Sequence, residues 1–206
     1  MLRGYYTASY GMLSQQRKAE MMANNLANAN TPGYKADQAS IRAFPEMLLQ
    51  RFEQQKTGEF NLPMNKTIGS LNTGVYLQET MPKFLQGGIH ETELKTDAAL
   101  LDISIPVNPE TGRAGSVFFM VENEKGETRY TRNGNFTLDS RGFLTTASGL
   151  YVLDREGKRI QLSSEEFTLD ETGNITGAAG ERARLGVAYS DNPMNMVKEG
   201  DGLYRA

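Results

Sequence analysis

The chain has 206 residues with 38% hydrophobic content, which supports one moderate core plus extensions and, by length, one or two domains. Its 22 basic and 25 acidic residues give a formal net charge of -3 with the signs interspersed, so there is no cationic field to hold a nucleic-acid backbone. There is no cysteine, which excludes disulfides and thiolate metal sites.

Residues 1 to about 29 read as a helix rich in strong formers such as Ala19, Glu20, Met21, Met22 and Ala23. Along it Leu2, Tyr5, Met12, Ala19, Ala23 and Leu26 recur at steps of three and four or their sums, with Ser9 and Gln16 as weak members and Met22 alongside. That is the seam spacing of a helix that packs against another helix. No later stretch repeats the pattern, so the seam is expected to be an assembly interface completed from outside this helix. Arg3, Gly4, Thr7, Ser9 and Gln15 interrupt the apolar run that a cleavable secretory signal would need, and no stretch approaches the roughly 20 apolar residues of a membrane span.

The helix should end where Asn28 and Asn30 compete for backbone hydrogen bonds and Pro32 disfavours helical geometry at Thr31. Thr31-Pro32-Gly33-Tyr34 fits a type II turn. A short second helix is expected next, with Ile41, Phe44, Leu48 and Phe52 on one face and Pro45 in or near its first turn. Residues from about 55 to 74, with Gly58, Pro63, Gly69 and Gly74, read as a connecting segment.

From about 75 the period changes to two. Val75–Leu77, Leu100–Ile105, Val117–Val121 and Arg129–Arg132 are strand-like runs. Asn133-Gly134 predicts a two-residue hairpin between 128–132 and 135–138. Further turns are expected at Ser140-Arg141-Gly142, Glu156-Gly157-Lys158 and Thr172-Gly173-Asn174. The fold class is α+β, mainly β: an N-terminal amphipathic helix and a short second helix, then a compact all-β hairpin-rich domain.

Chemistry-bearing patterns are sparse. Glu165, Glu166, Asp170 and Glu171 read as a solvated acidic loop, because acid–base catalysis needs two carboxylates held together in a cleft. His90 is the single histidine and reads as a surface residue beside a turn. The 170–174 stretch lacks the ligand pattern of a calcium loop. Asn108–Gly112 is similar to a sorting pentapeptide but is internal. Arg182 and Arg184 read as a solvated strand edge, and there is no Gly-rich phosphate loop. No catalytic, cofactor-binding or metal-binding residue is assigned.

The run Ala-Asn-Asn-Leu-Ala-Asn-Ala-Asn-Thr-Pro-Gly-Tyr-Lys, residues 23–35, closely resembles the N-terminal signature of the bacterial flagellar basal-body rod and hook proteins. Its motif positions here are Asn24, Asn25, Leu26, Asn28, Asn30, Thr31, Pro32, Gly33 and Tyr34. The resemblance continues through Gly87–Ile89, Leu101–Ile103, Val117–Phe119, Tyr130–Phe136 and Gly142–Leu144. Asp97-Ala98-Ala99 departs from the family's usual Gly-Asn-Pro type of turn, and Pro106–Arg113 looks like an extra loop.

The resemblance implies a non-enzymatic structural subunit of the distal rod or rod–hook group, exported by the flagellar type III apparatus without a cleavable signal. It implies an extracytoplasmic place in the basal body. The implied partners are other axial proteins, copies of the chain itself and the export apparatus, with no nucleic acid, membrane insertion or cofactor. The implied organisation is a core helix and turn at 1–35, a second helix and connection at 36–74, an outer β-domain at 75–190 and a return segment at 191–206. In the family a pairing helix follows that return segment, so the chain is expected to be a truncated product whose seam is unpaired within one molecule. The alternative reading is a secreted β-domain that binds cell-wall glycan or another surface ligand and is attached through its helix; a peptidoglycan hydrolase is a third.

Overall fold

The computed structural model describes residues 2–57, 60–103 and 105–206, and side chains within 4–51, 67–103 and 105–206. The described chain forms two compact units, residues 1–27 with 37–81, and residues 28–36 with 82–206.

In the first unit, α1 (Leu2–Ala27) is a continuous 26-residue helix. It lies on β1 (Asp37–Ala43), which pairs with β4 (Val75–Pro82). The face turned to these strands combines hydrogen-bonding side chains with one aromatic contact. Ser14, 3% exposed, donates from its hydroxyl to the Val75 carbonyl at 3.1 Å, and Thr7 donates to the Thr73 carbonyl at 3.1 Å. Tyr10, Phe44 and Tyr76 stack in series with centroid separations of 5.1 and 4.9 Å, a geometry favoured by ring quadrupoles.

The short second helix does not form. Its residues are divided between β1 and β2 (Met47–Thr57), and the supposed connection is largely β3 (Phe60–Leu71), which pairs antiparallel with β2. The physical reason is that cross-strand pairing outweighs the helix-like spacing of Ile41, Phe44 and Leu48: β1 is taken up by the distant β4, and β2 by β3, which follows it directly. Phe44 instead follows the end of β1 and sits in the aromatic stack, and Pro45 lies between two strands. Pro63 and Gly69 are tolerated because β3 has one partner strand in a two-stranded ribbon. The side chains of Leu2 and Phe52 lie outside those described.

The second unit is built around β5 (Ser116–Glu122). On one side it pairs with β6 (Thr128–Thr131); on the other it pairs with β9 (Tyr151–Val152) and β13 (Val187–Ser190). β7 (Phe136–Leu138) and β8 (Leu144–Thr146) extend the sheet at one end, and β14 (Val197–Gly200) and β15 (Leu203–Arg205) extend it at the other. A three-stranded sheet of β10 (Phe167–Leu169), β11 (Asn174–Gly177) and β12 (Arg182–Arg184) packs with it. Alternation along β5 buries both faces. Phe119 and Val121 join the main core with Phe136, Leu144, Val152 and Ile175, while Phe118 stacks with Phe84 and Tyr204 on the opposite face.

Four connections share one device. Asn123, Asp139, Asp154 and Asp170 are each followed three residues later by a glycine at positive φ. Each glycine N–H donates back to the Asn or Asp carbonyl, and the side-chain oxygen accepts from the backbone N–H groups two and four residues on. This is a self-capped turn that needs no partner from elsewhere. The turns expected near 140–142, 156–158 and 172–174 are three of these four.

Two other expectations fail. Asn133-Gly134 does not close a hairpin: β6 pairs with β5 and β15, whereas β7 pairs with β8. The pair is held by non-local contacts, since the Ala98 N–H donates to the Gly134 carbonyl at 2.9 Å and Asp97 bridges to Asn135. In addition, the described residues of Leu100–Ile105 form no strand; side chains anchor this run in place of a ladder, as shown below.

Candidate assembly interface

The seam side chains are exposed. Met12 is 74% and Leu26 77% exposed, and Tyr5, Ala19, Met22 and Ala23 also face solvent. The face of α1 packed on its own strands is a different stripe, in which Gly11, Ser14, Lys18, Met21 and Asn25 follow one another at steps of three and four and are at least partly buried. The helix therefore spends its hydrogen-bonding face on its own unit and leaves its apolar seam outward. Gly4 and Gly11 have no described neighbour within 4 Å of an added Cβ, so no close backbone approach in the described chain accounts for them.

The motif residues do structural work at the end of α1. Asn25 clamps the start of β1: its Nδ2 donates to the Asp37 carbonyl at 2.9 Å, and the Asp37 N–H donates to its Oδ1 at 2.9 Å. The Asn28 carbonyl accepts from the Thr31 N–H at 3.0 Å and the Thr31 carbonyl from the Tyr34 N–H at 3.2 Å. With Gly33 at φ 72°, this is the expected type II turn. Glycine is required twice over, because a Cβ there would also collide with the Arg132 carbonyl group. The Tyr34 ring lies under Lys198, whose Nζ is 4.5 Å from its centroid. Asn24, Asn30 and Leu26 are exposed, and Pro32 sits in the exposed turn.

Arg132 organises the contact between this turn and the β-rich unit, and the sequence reading missed it. Its side chain, 4% exposed, grips Asp102 end-on, Nη1 and Nη2 donating to the two carboxylate oxygens at 2.7 and 2.9 Å. It also donates to the Ser116 hydroxyl, the Val117 carbonyl and Gln86 Oε1, which nearly exhausts the guanidinium fork. The available signal was a carboxylate, Asp102, inside the apolar run Leu101–Ile103. Nearby, buried Lys35 donates to the Leu85 carbonyl at 2.6 Å. Burial, then the Arg132 charge, pushes its ammonium below the ordinary lysine range, with Asp102 acting in the opposite direction.

His90 is exposed, and among the described residues no cluster of histidine, aspartate or glutamate has the make-up of a metal site. Asp170 is occupied by its own turn; hydrogen bonds from the Thr172 hydroxyl and then from Asn174 hold its carboxyl down at about 2. Arg182 and Arg184 are exposed on β12, an edge strand.

The comparisons with known proteins match both parts of the chain, the N-terminal helix with its turn and the β-rich strands. Residues 6–35 match the family described as flagella basal body rod protein, and residues 114–177 match the flagellar hook protein FlgE/F/G D1 domain. The chain is 40% identical over 204 residues to the flagellar hook-basal body complex protein FlhO of Bacillus subtilis, covering 99% of this chain and 74% of that protein. It is 29% identical over 202 residues to the flagellar basal-body rod protein FlgF of Caulobacter vibrioides, covering 97% and 71%. Against the flagellar hook protein FlgE of Helicobacter pylori it is 34% identical over 153 residues, 74% of this chain and 19% of that one. The chain belongs to the flagellar basal-body rod and hook family.

Proposed function

We propose that this chain is a structural subunit of the flagellar axial structure that assembles through the outward seam of α1. The observation that carries this reading is the mismatch on α1: its polar stripe is docked on β1 and β4, while Tyr5, Met12, Met22 and Leu26 are left in water. An apolar helical stripe of this length is stabilised when another helix covers it, and sister subunits supply that helix. Met12 and Met22 are flexible enough to fit slightly different neighbours, which suits a junction between rod segments. Nonidentical faces of successive subunits then meet, and an open helical array results.

Within the array, the β-rich unit from residue 82 onward forms the outer domain, with β14 and β15 part of its sheet. The subunit reaches its extracytoplasmic position through the flagellar export apparatus, and its role requires no catalysis. Family membership supports the location and the axial partners. The test is isolation of hook-basal bodies from cells making a tagged chain. The chain is expected in stoichiometric amounts in the purified particles, and its absence from particles that are otherwise complete would refute the reading.

A further inference from the structure

The three-stranded sheet of β10, β11 and β12 has a polar outer face. Alternate residues turn inward: Phe167 and Ile175 are buried, and Ala183 packs against the same core. On the other face Thr168, Thr176 and Arg182 stand opposite one another across the three strands, and Asn174 stands opposite Arg184. All five are exposed, and none is apolar or acidic. β12 gains a further neighbour at one end, where Asp154 bridges antiparallel to Leu185 and the Arg155 N–H donates to the Arg184 carbonyl at 3.3 Å. Exposed Arg155 is thereby set opposite Arg184. Arg182 follows on the same face of β12, about 7 Å along the strand.

Like charges directly opposite one another on paired segments are destabilising, and here nothing answers them. Arg129, Arg132, Arg141, Arg159 and Arg205 are each paired with a carboxylate. Arg155, Arg182 and Arg184 have no ion-pair partner among the described residues. The carboxylates bordering the face are mostly engaged. Asp170 is held in its own turn, Glu156 pairs with Lys158 at 2.7 Å, Glu181 accepts from the Ser163 N–H at 3.1 Å, and Glu166 lies 3.9 Å from Lys95. Glu165 and Glu171 are exposed beyond the two ends of β10. The chain therefore holds three unanswered guanidiniums together at a cost that an anion would relieve.

The chemistry of the face selects the anion. A guanidinium fork matches a phosphate bidentately, and the exposed threonine hydroxyls suit a hydroxylated backbone. The five outward residues supply neither the aromatic and aliphatic core of a protein–protein interface nor the aromatic platform on which nucleic-acid bases stack. We propose that this face binds a linear polyol-phosphate polymer, with its phosphodiesters on Arg155, Arg182 and Arg184 and its hydroxyls against Thr168 and Thr176. The site is separate from the α1 seam and does not rest on the assembly reading.

The test titrates fluorescently labelled poly(glycerol phosphate) with the full chain. Binding should saturate, and its association constant should fall with salt at a log–log slope of roughly −2 to −3, as for about three phosphate contacts. Arg182→Gln with Arg184→Gln should weaken binding at least about tenfold. Both side chains are exposed and one stands against a like charge, so this variant should melt no lower than the wild type. Arg17→Gln with Arg42→Gln removes the same charge from the other unit. It should leave the affinity within about twofold, because distant exposed charges are screened. The proposal is overturned by absence of saturable binding, an equal loss from the Arg17 and Arg42 pair, or a lower melting temperature in the Arg182 and Arg184 variant. It is also overturned if polyglutamate or single-stranded DNA competes as well as unlabelled poly(glycerol phosphate).

Discussion

Arg132 and Asp102 form an end-on ion pair at 2.7 and 2.9 Å inside the β-rich unit, joining a run whose described residues form no strand to the end of β6. Removing one charge strands the other, and breaking a buried pair in this way costs about 3–5 kcal/mol. Asp102→Ala should therefore lower unfolding stability by about that amount in urea melts followed by circular dichroism. Arg132→Lys should fail to rescue, because a lysine cannot reach Asp102, Ser116, Val117 and Gln86 together. Wild-type stability of the lysine variant would contradict the role given to the fork.

Gly33 faces two obstacles and Gly149 one. Both have positive φ, at 72° and 82°, but a Cβ meets the Arg132 carbonyl group only at Gly33 and nothing within 4 Å at Gly149. Gly149→Ala should cost about 1–2 kcal/mol for the left-handed backbone alone. Gly33→Ala should cost about 2–4 kcal/mol, since overpacking adds to strain. Paired denaturant titrations decide the matter, and equal losses would show that the turn is not packed as described.

Asn25 belongs to the family motif, and its visible role is to tie α1 to β1. Asn25→Asp keeps an acceptor for the Asp37 N–H but removes the donor to the Asp37 carbonyl and adds a charge. The change should cost about 1–2 kcal/mol. Hydrogen exchange at the C-terminal turn of α1 should speed up while exchange in β5 stays unchanged.

Much of this architecture follows from local signals. The length of α1, the type II turn and the three self-capped turns depend on residues close in sequence, and they appear where expected. What failed turned on strand pairing: β1 is taken up by the much later β4, β2 pairs with β3 directly after it against a helix-like spacing, and Asn133-Gly134 is held by Ala98 in place of a hairpin. The apolar spacing along α1 was legible because it is a property of one helix. The Arg132 cluster was not, because its partners come from residues 86, 102, 116 and 117.

Acid should remove the stability that the Asp170 turn supplies. Its folded carboxyl titrates at about 2 against an ordinary 3.8, so as pH falls through that window the unfolded chain takes up the proton before the folded one. The stability it supplies is full above the ordinary value and is lost by about pH 2. Asp170→Asn should lower the melting temperature at neutral pH and flatten its fall between pH 4 and pH 2, the interval set roughly by these two values. An unchanged acid limb in the variant would contradict the assignment.

The outward seam is tested most directly by Met12→Glu with Leu26→Lys in a strain that lacks its own copy of this protein. Both positions are exposed, at 74% and 77%, so the purified variant should keep its helix content and melting temperature. It should nevertheless be missing from isolated basal bodies, and the cells should be non-motile. Normal incorporation of the correctly folded double variant would show that the apolar stripe of α1 is not where these subunits meet.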